Sequence, residues 1–140
     1  MPKNSTIIPK GNSLDEIKTR KKIIKDFYAV WNAENPTKQV YNVHLKEFIN
    51  IRYLSINETS EMASKRYLST FVLVHYFTEI LELAEEKRRT PPKKDNDNQK
   101  RFSEIINLEY IREEIGIIKL TVGVLKGSGQ YIQYCITAIE

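Results

Sequence analysis

The chain has 140 residues, of which 41% are hydrophobic and 29% are charged, so it is long enough for one globular domain with its own core. No run of about 18 apolar residues and no secretory signal is present, which argues against a membrane-bound or secreted protein. The single cysteine excludes an internal disulfide, so we expect a reducing, cytoplasmic setting. The net charge of +4 favours anionic partners such as nucleic acid.

The first residues differ in composition from the rest of the chain. Residues 1–12 contain proline, glycine, asparagine and lysine without an apolar period, which predicts a flexible tail. The remaining residues, 13–140, show no internal repeat and include a basic loop at residues 87–101. We therefore predict a single α+β domain over residues 13–140.

The first predicted helix has a clear beginning and end. Ser13 and Glu16 have the spacing of a capping box, in which the two side chains satisfy free amide groups at a helix start. Apolar residues then recur at helical spacing, which predicts an amphipathic helix over residues 14–33 with a basic outer face. Pro36 ends the pattern, because the residue before a proline is disfavoured in a helix.

The next segment, residues 37–54, fits two descriptions. Leu45 and Phe48 have the spacing of a helical turn. Ile49 and Ile51 alternate with polar residues, which is typical of a short strand. The sequence leaves both interpretations open.

A second pair with capping-box spacing, Ser55 and Glu58, predicts the start of another helical region, which runs to about Lys87 with a bend near Ser64. Residues 67–77 are apolar on almost every side, so we expect this part to be buried against more than one neighbour. A polar stripe follows at helical spacing, formed by His75, Glu79, Glu82 and Glu86.

Residues 87–101 contain two consecutive prolines and no large apolar residue. This composition predicts a mobile basic loop that is neither helix nor strand. The loop could attract phosphate groups, or it could serve only to keep the protein soluble. The residues of this segment that we assign to RNA contact are Lys87, Arg88, Arg89, Lys93 and Lys94.

Three strands are predicted after this loop, over residues 102–110, 117–125 and 131–138. Glycine-containing segments between them are suited to tight turns. The predicted fold class is therefore α+β, with N-terminal helices packed on one face of a C-terminal antiparallel β-meander. The edge of the third strand could pair with another chain, which would make a protein partner possible.

Alternation assigns the side chains of the last two strands to two faces. The predicted core rows are Ile118, Leu120, Val122 and Val124 on one strand, and Ile132, Tyr134, Ile136 and Ala138 on the next. The opposite face carries Lys119, Thr121, Tyr131, Gln133, Cys135 and Thr137. Such a surface could hold an RNA backbone and stack a base on Tyr131, or it could be an ordinary solvated sheet face.

Few side chains are suited to metal or cofactor chemistry. His44, His75 and Cys135 are not closely spaced, and no glycine-rich phosphate loop follows a predicted strand, so we expect no metal and no nucleotide cofactor. His75 and Glu79 are four residues apart and could form an acid–base pair or a surface ion pair.

Two hydroxyl side chains, Ser69 and Thr70, lie in the most apolar part of the predicted second helical region. Hydroxyl groups in such a position often hydrogen-bond to a carbonyl of the preceding turn. The alternative is that Ser69 and Thr70 point into a cleft between helix and sheet.

Three segments, residues 49–84, 119–124 and 133–137, carry a resemblance to known proteins. They resemble small proteins from mobile elements of gut Bacteroidetes and the barnase/EndoU/colicin/RelE-like nuclease modules of phage and conjugative-element polyproteins. The shared layout is a helical start followed by an antiparallel sheet, and it covers about residues 15–139.

The resemblance implies a metal-independent ribonuclease, in which a ribose 2′-hydroxyl attacks the neighbouring phosphate while a side chain takes its proton. It implies site residues on the last strands and on the second helix, namely Lys119, Gln133, Tyr134, Thr137, Ser69 and Thr70. The predicted sheet carries no histidine or glutamate that is obviously placed as the base. A non-enzymatic module that binds nucleic acid or a protein partner is therefore the alternative.

Overall fold

The computed structural model describes residues 7–139 and shows three helices and a curled, six-stranded mixed sheet. The helices are α1 (Leu14–Glu34), α2 (Tyr53–Ala63) and α3 (Tyr67–Leu83), with one short 3-10 helix (Asp97–Gln99). The strands are β1 (Gln39–Asn42), β2 (Glu47–Asn50), β3 (Glu85–Thr90), β4 (Phe102–Arg112), β5 (Gly116–Leu125) and β6 (Tyr131–Ala138). The predicted α+β class, with helices on one face of a C-terminal meander, is confirmed.

The strands are arranged in the order β1-β2-β6-β5-β4-β3. Neighbouring strands are antiparallel except β2 and β6, which run parallel through the pairs Ile49–Tyr131 and Asn50–Ile132. The last strand is therefore an internal strand of the sheet. At Tyr131 and Ile132 this edge, which the sequence suggests could pair with another chain, is already paired with β2.

Helix α1 begins at the predicted capping box. The Glu16 amide donates to Ser13 Oγ at 3.2 Å, and Ser13 Oγ donates to a Glu16 carboxylate oxygen at 2.8 Å. These bonds lower the pKa of the Glu16 carboxyl, because they favour its charged form. The helix ends at Glu34, one residue beyond the prediction, and it buries Ile24 and Tyr28 against the sheet and α3.

Residues 7–12, which fall in the predicted tail, are bound to the domain by one buried arginine. Arg20 is completely buried and donates from Nη1 to the carbonyl oxygens of Pro9 at 2.8 Å and Gly11 at 2.6 Å. Its Nε donates to the Ser64 carbonyl oxygen at 2.7 Å. Arg20 thus joins the start of the chain, α1 and the turn between α2 and α3. The first six residues of the predicted tail lie outside the described part of the chain.

A β-hairpin, β1–β2, occupies the segment for which the sequence allowed two interpretations. The strand interpretation is correct for β2, and the predicted helical turn at Phe48 is wrong, because Phe48 pairs with Tyr41 of β1. The turn uses a left-handed backbone at Lys46, with φ of 59°. The Asn42 side-chain oxygen accepts hydrogen bonds from the amides of His44 and Leu45 and so closes the turn.

Helix α2 begins at Tyr53, two residues before the predicted capping box. Ser55 Oγ accepts a hydrogen bond from the Arg52 amide at 3.0 Å, so this serine closes the first turn from inside the helix. The predicted pairing of Ser55 with Glu58 at the helix start is therefore wrong. The predicted bend near Ser64 is confirmed, since α2 and α3 are separate helices on either side of it.

Helix α3 ends at Leu83, and the chain enters β3 without a loop. The prediction of helix to Lys87, followed by a segment without strand, is therefore wrong. Strand β3 has almost no buried side chain, and it is held by antiparallel pairing with β4 from Glu85 to Thr90. A polar edge strand of this kind has no apolar alternation, so its sequence does not reveal it.

A β-bulge in β6 changes which side chains face the helices. Val122 pairs with Gln133 and Thr121 pairs with Cys135, so Tyr134 is an extra residue in the ladder. The alternation of side chains between the two faces of the sheet is interrupted there. Gln133 therefore points into the core, which was predicted for Ile132 and Tyr134 on either side of it. The predicted core row of β6 is divided, with Ile136 and Ala138 in the main core and Ile132 and Tyr134 in a second apolar cluster.

The second cluster lies on the opposite side of the sheet, where Phe102 packs over Gly123. Its buried members are Phe102, Ile105, Ile132 and Tyr134. Leu54 from the start of α2 also packs against this cluster. Both surfaces of the curled sheet are therefore covered by apolar side chains near the start of β6. Among the helices described, none combines the length and apolarity needed to cross a membrane.

Candidate functional site

The two hydroxyl residues of α3 have structural contacts. Ser69 Oγ accepts a hydrogen bond of 3.0 Å from the Ala138 amide, and both groups are buried. The Thr70 hydroxyl lies 3.0 Å from the Ala63 carbonyl oxygen and 3.1 Å from that of Arg66, to which it donates. Ser69 therefore attaches α3 to the end of β6, and Thr70 closes the turn between α2 and α3. Neither hydroxyl points into a cleft.

Gln133, predicted to contact RNA, is completely buried between α1, α2 and the sheet. Its Oε1 accepts from the Tyr28 hydroxyl at 2.9 Å, and its Nε2 donates to Thr59 Oγ1 at 2.8 Å. Burial raises the pKa of the Tyr28 hydroxyl well above its ordinary value. Gln133, which the sequence assigns to RNA contact, is therefore occupied by contacts inside the core.

Tyr134, predicted to be catalytic, is only 6% exposed and lies in the second apolar cluster. Its hydroxyl is buried without a hydrogen-bond partner in the described structure. Burial, together with the negative charge of nearby Glu58, raises the pKa of Tyr134 to about 12. A phenol of this kind stays protonated at neutral pH and cannot act there as a general base.

Lys119 and Thr137 are brought together, because they lie directly opposite each other on β5 and β6. Lys119 is exposed and Thr137 is half-buried on the outer face of the sheet. On the other side of Lys119, β4 places Glu109 opposite it. The outer face thus carries a Glu–Lys–Thr row, while Ser69 and Thr70 lie on the helical side. The residues predicted to be catalytic therefore do not form one site.

Tyr131 and Arg89, both predicted to contact RNA, do meet. The Arg89 guanidinium lies 5.9 Å from the centre of the Tyr131 ring, a cation–π distance. Arg89 also forms ion pairs of 2.9 Å with Glu86 and 3.2 Å with Glu104, so its charge is balanced by carboxylates. Tyr131 faces the side of the sheet opposite to Lys119, because it pairs with Val124. The other predicted cations, Lys87, Arg88, Lys93 and Lys94, are exposed, the first two on β3.

The connection between β3 and β4 has defined internal contacts. Asn96 Oδ1 accepts from the Asn98 amide at 2.9 Å, and Asn98 Nδ2 donates to a Glu58 carboxylate oxygen of α2 at 2.8 Å. Gln99 is buried and accepts from the Lys93 amide at 2.8 Å. This segment, which includes the 3-10 helix, is therefore attached to α2, and the prediction of a segment without helix or strand is wrong.

A cleft of about 480 Å³ opens between the start of α2, the segment before β4 and the ends of β5 and β6. We call it the Arg52–Arg101 cleft. Its apolar floor is formed by Leu54, Phe102, Leu125 and Ile132. Its polar rim is formed by Arg52, Tyr53, Asn57, Asn98 and Arg101.

The two arginines of this cleft have no carboxylate partner within residues 7–139. Arg52 donates from Nη2 to the neutral side-chain oxygen of Gln130 at 2.6 Å. Across residues 7–139, neither Arg52 nor Arg101 forms an ion pair with a carboxylate. Exposed Lys126 is adjacent, since its amide donates to the Arg101 carbonyl oxygen at 3.0 Å. The cleft therefore presents two guanidinium groups without carboxylate partners above an apolar floor.

Sequence reasoning did not find this cleft. Arg52 and Tyr53 precede the predicted second helix, and Asn57 lies within it. No pattern in the sequence marks these three residues as part of a binding site. Arg101 belongs to the basic segment but was not among its assigned RNA contacts. The cleft forms only because α2 begins beside the second apolar cluster, and no local pattern in the sequence reports that proximity.

A second polar group lies where α3 meets β4. The Glu79 carboxylate accepts hydrogen bonds from the Tyr110 hydroxyl and from Arg112. The bond to Glu79 raises the pKa of Tyr110, and Arg112 forms an ion pair with the same carboxylate. His75 packs instead against the ring of Phe71, with 4.4 Å between the ring centres. Glu79 thus pairs across to β4, and the predicted pairing of His75 with Glu79 is wrong.

In residues 7–139, no group of three histidine, cysteine, aspartate or glutamate side chains is arranged to hold a metal ion. The fold and the cleft together define an α+β domain with a cationic, partly apolar surface pocket. No protein-family model, curated protein or solved structure matches this chain.

Proposed function

We propose that this protein binds single-stranded nucleic acid, with RNA as the first candidate, and that binding is centred on the Arg52–Arg101 cleft. One observation supports the proposal. A single cleft combines an apolar floor with two guanidinium groups, those of Arg52 and Arg101, that have no carboxylate partners. Nucleic acids combine the two complementary features, an anionic backbone and flat apolar bases.

The chemistry of the rim supports this proposal. Guanidinium groups bind phosphate through two parallel hydrogen bonds, so Arg52 and Arg101 suit the phosphate groups of a strand. Tyr53 is 77% exposed at the cleft, which is unusual for a large aromatic side chain and suits stacking on an unpaired base. Lys126 is exposed beside Arg101 and would add to the attraction for the backbone.

The test is the fluorescence anisotropy of a labelled single-stranded RNA of about 12 nucleotides, a length within the range bound by small domains. We expect binding that weakens with salt, and we expect the variant Arg52→Gln/Arg101→Gln to bind about tenfold or more weakly. The slope of log affinity against log salt should fall by about 0.7 for each phosphate contact removed.

The matched control is Lys18→Gln/Lys25→Gln, which removes the same charge from exposed positions on α1. If both double variants weaken binding equally, attraction is general and the cleft is not the site. If the unaltered protein does not bind RNA at low salt, the proposed function is rejected.

A second proposal is the metal-independent ribonuclease that the sequence resemblance implies. The observation in its favour is the Glu109–Lys119–Thr137 row on the outer face, where a carboxylate lies next to a cation. Such a pair could supply a base and a group that stabilises the transition state, although a cross-strand Glu–Lys pair is also ordinary in sheets. RNA incubated with the protein in EDTA should then be cleaved, and Glu109→Gln should abolish cleavage. Intact RNA would reject this second proposal.

A further inference from the structure

We propose that the Arg52–Arg101 cleft accepts adenine in preference to uracil, with Asn57 as the residue that recognises the base. This inference rests on the proposed function, because it names the ligand group that enters the same cleft. It rests on two side-chain amides of the rim, those of Asn57 and Asn98. The Asn98 amide donates to Glu58, whereas the Asn57 side chain makes no hydrogen bond within the described residues.

Asn57 lies four residues after Tyr53 on α2, so the two side chains share one face of the helix and both line the cleft. Asn57 is half-buried, and its side-chain amide makes no hydrogen bond within the described residues. Both its donor and its acceptor are therefore available. A base stacked on Tyr53 would place its polar edge toward this amide.

Asn98 limits which base can be accepted. Its Nδ2 group donates to Glu58, so the nitrogen is directed away to that carboxylate and the side-chain oxygen remains as an acceptor on the rim. The cleft thus offers two side-chain oxygen acceptors, from Asn57 and Asn98, and one free amide donor, from Asn57. A base that enters it must carry more donor hydrogens than a single ring N–H.

Adenine meets this requirement and uracil does not. The exocyclic amino group of adenine has two hydrogens, which can reach the Asn57 and Asn98 oxygens, while a ring nitrogen accepts from the Asn57 amide. Uracil has one ring N–H between two carbonyl groups, so one acceptor of the cleft would remain unpaired. The larger purine would also cover more of the apolar floor of Phe102 and Ile132.

The test compares two labelled RNAs of about 12 nucleotides, one composed only of uridine and the other carrying a single central adenosine. For the unaltered protein we expect the adenosine-containing strand to bind about 5- to 100-fold more tightly, the range for one paired amide contact. Asn57→Ala should reduce this ratio to near one. The control Asn107→Ala removes an amide from the outer face of β4 and should retain the ratio.

The outcomes separate the inference from the function on which it rests. Equal affinity for the two strands in the unaltered protein would overturn the adenine preference but leave nucleic-acid binding in place. A preference that survives Asn57→Ala, in a variant whose thermal unfolding is unchanged, would remove Asn57 from the recognition of the base. Failure to bind either strand would reject the proposed function itself.

Discussion

The hydroxyl of Tyr28 donates a hydrogen bond of 2.9 Å to the side-chain oxygen of Gln133, which joins the first helix to the last strand inside the core. The bond continues through the Gln133 amide to Thr59 Oγ1 of α2 at 2.8 Å. The Tyr28 hydroxyl and both polar atoms of the Gln133 side chain therefore have hydrogen-bond partners. Buried hydrogen-bond networks of this kind favour one packing arrangement of the elements they join.

Removing the Tyr28 hydroxyl should destabilise the protein. Tyr28→Phe leaves the buried Gln133 oxygen without a donor, and we expect the free energy of unfolding to fall by about 1–3 kcal/mol. Urea denaturation measures this change. Tyr41→Phe is the control, because Tyr41 lies at the exposed edge of β1 and should have little effect. Equal stability of Tyr28→Phe and the unaltered protein would show that the network contributes nothing.

The parts of the fold that the sequence predicted are those with strong local signals. The capping box at Ser13 fixed the start of α1, and sustained alternation located β4, β5 and β6. Strand β3 was missed because its residues are polar and its strand conformation depends on pairing with β4. The bulge at Tyr134 was missed because a single extra residue changes the facing of its neighbours without altering the composition of the strand.

The candidate site was less predictable than the fold. Basic residues were expected on the segment before β4, and Arg101 indeed lines the cleft. Its counterpart Arg52 comes from the start of α2, a segment that no local pattern connects with residue 101. The predicted catalytic set was divided because two of its members, Ser69 and Thr70, hydrogen-bond to backbone carbonyl and amide groups in the interior.

Gly123 should not tolerate a side chain. A Cβ atom at this position would lie 2.6 Å from the ring of Phe102, which packs directly on the glycine. We expect Gly123→Ala to lower the free energy of unfolding by about 1–3 kcal/mol through overpacking. In a Phe102→Leu background the same substitution should be less harmful, so a double-mutant cycle measured in urea should give a coupling energy of about 0.5 kcal/mol or more. Strict additivity would contradict the contact.

Arg20 should be required to hold residues 7–12 against the domain. Arg20→Met keeps the apolar stem but removes the donors to the carbonyl oxygens of Pro9, Gly11 and Ser64. We expect a loss of about 3 kcal/mol in the free energy of unfolding, because these buried acceptors lose a charged donor. Hydrogen exchange at residues 10–12 should also accelerate. Lys18→Met on the exposed side of α1 is the control, and comparable losses in the two variants would argue against a specific role for Arg20.

Ser69 should matter for stability and not for nucleic-acid binding. Ser69→Ala leaves the buried Ala138 amide without an acceptor, so we expect a loss of about 1–2 kcal/mol in the free energy of unfolding. Affinity for single-stranded RNA, measured below the unfolding transition, should be unchanged. A folded Ser69→Ala variant that loses an RNA-dependent activity would instead favour the catalytic role implied by the sequence resemblance.

Alkaline pH should unfold the protein through groups that are buried in their protonated forms. Burial raises the pKa of the Cys135 thiol to about 12 from an ordinary value of 9.0, and that of Tyr134 to about 12 from 10.0. Because both folded-state pKa values are raised, the unfolded chain releases protons first. Stability should be unaffected below about pH 9 and should be lost as the pH rises from there toward 12.

The alkaline loss of stability can be assigned to its two groups with two substitutions, Cys135→Ala and Tyr134→Phe. Each group can contribute a slope of up to about 1.4 kcal/mol per pH unit between its unfolded and folded pKa values. Between pH 9 and pH 10 the thiol is the first group expected to contribute, so Cys135→Ala should flatten the loss of stability in that interval. Tyr134→Phe should flatten it only above about pH 10. Urea denaturation at successive pH values measures both effects, and a Cys135→Ala variant with the same slope as the unaltered protein between pH 9 and 10 would show that the thiol is not held protonated by burial.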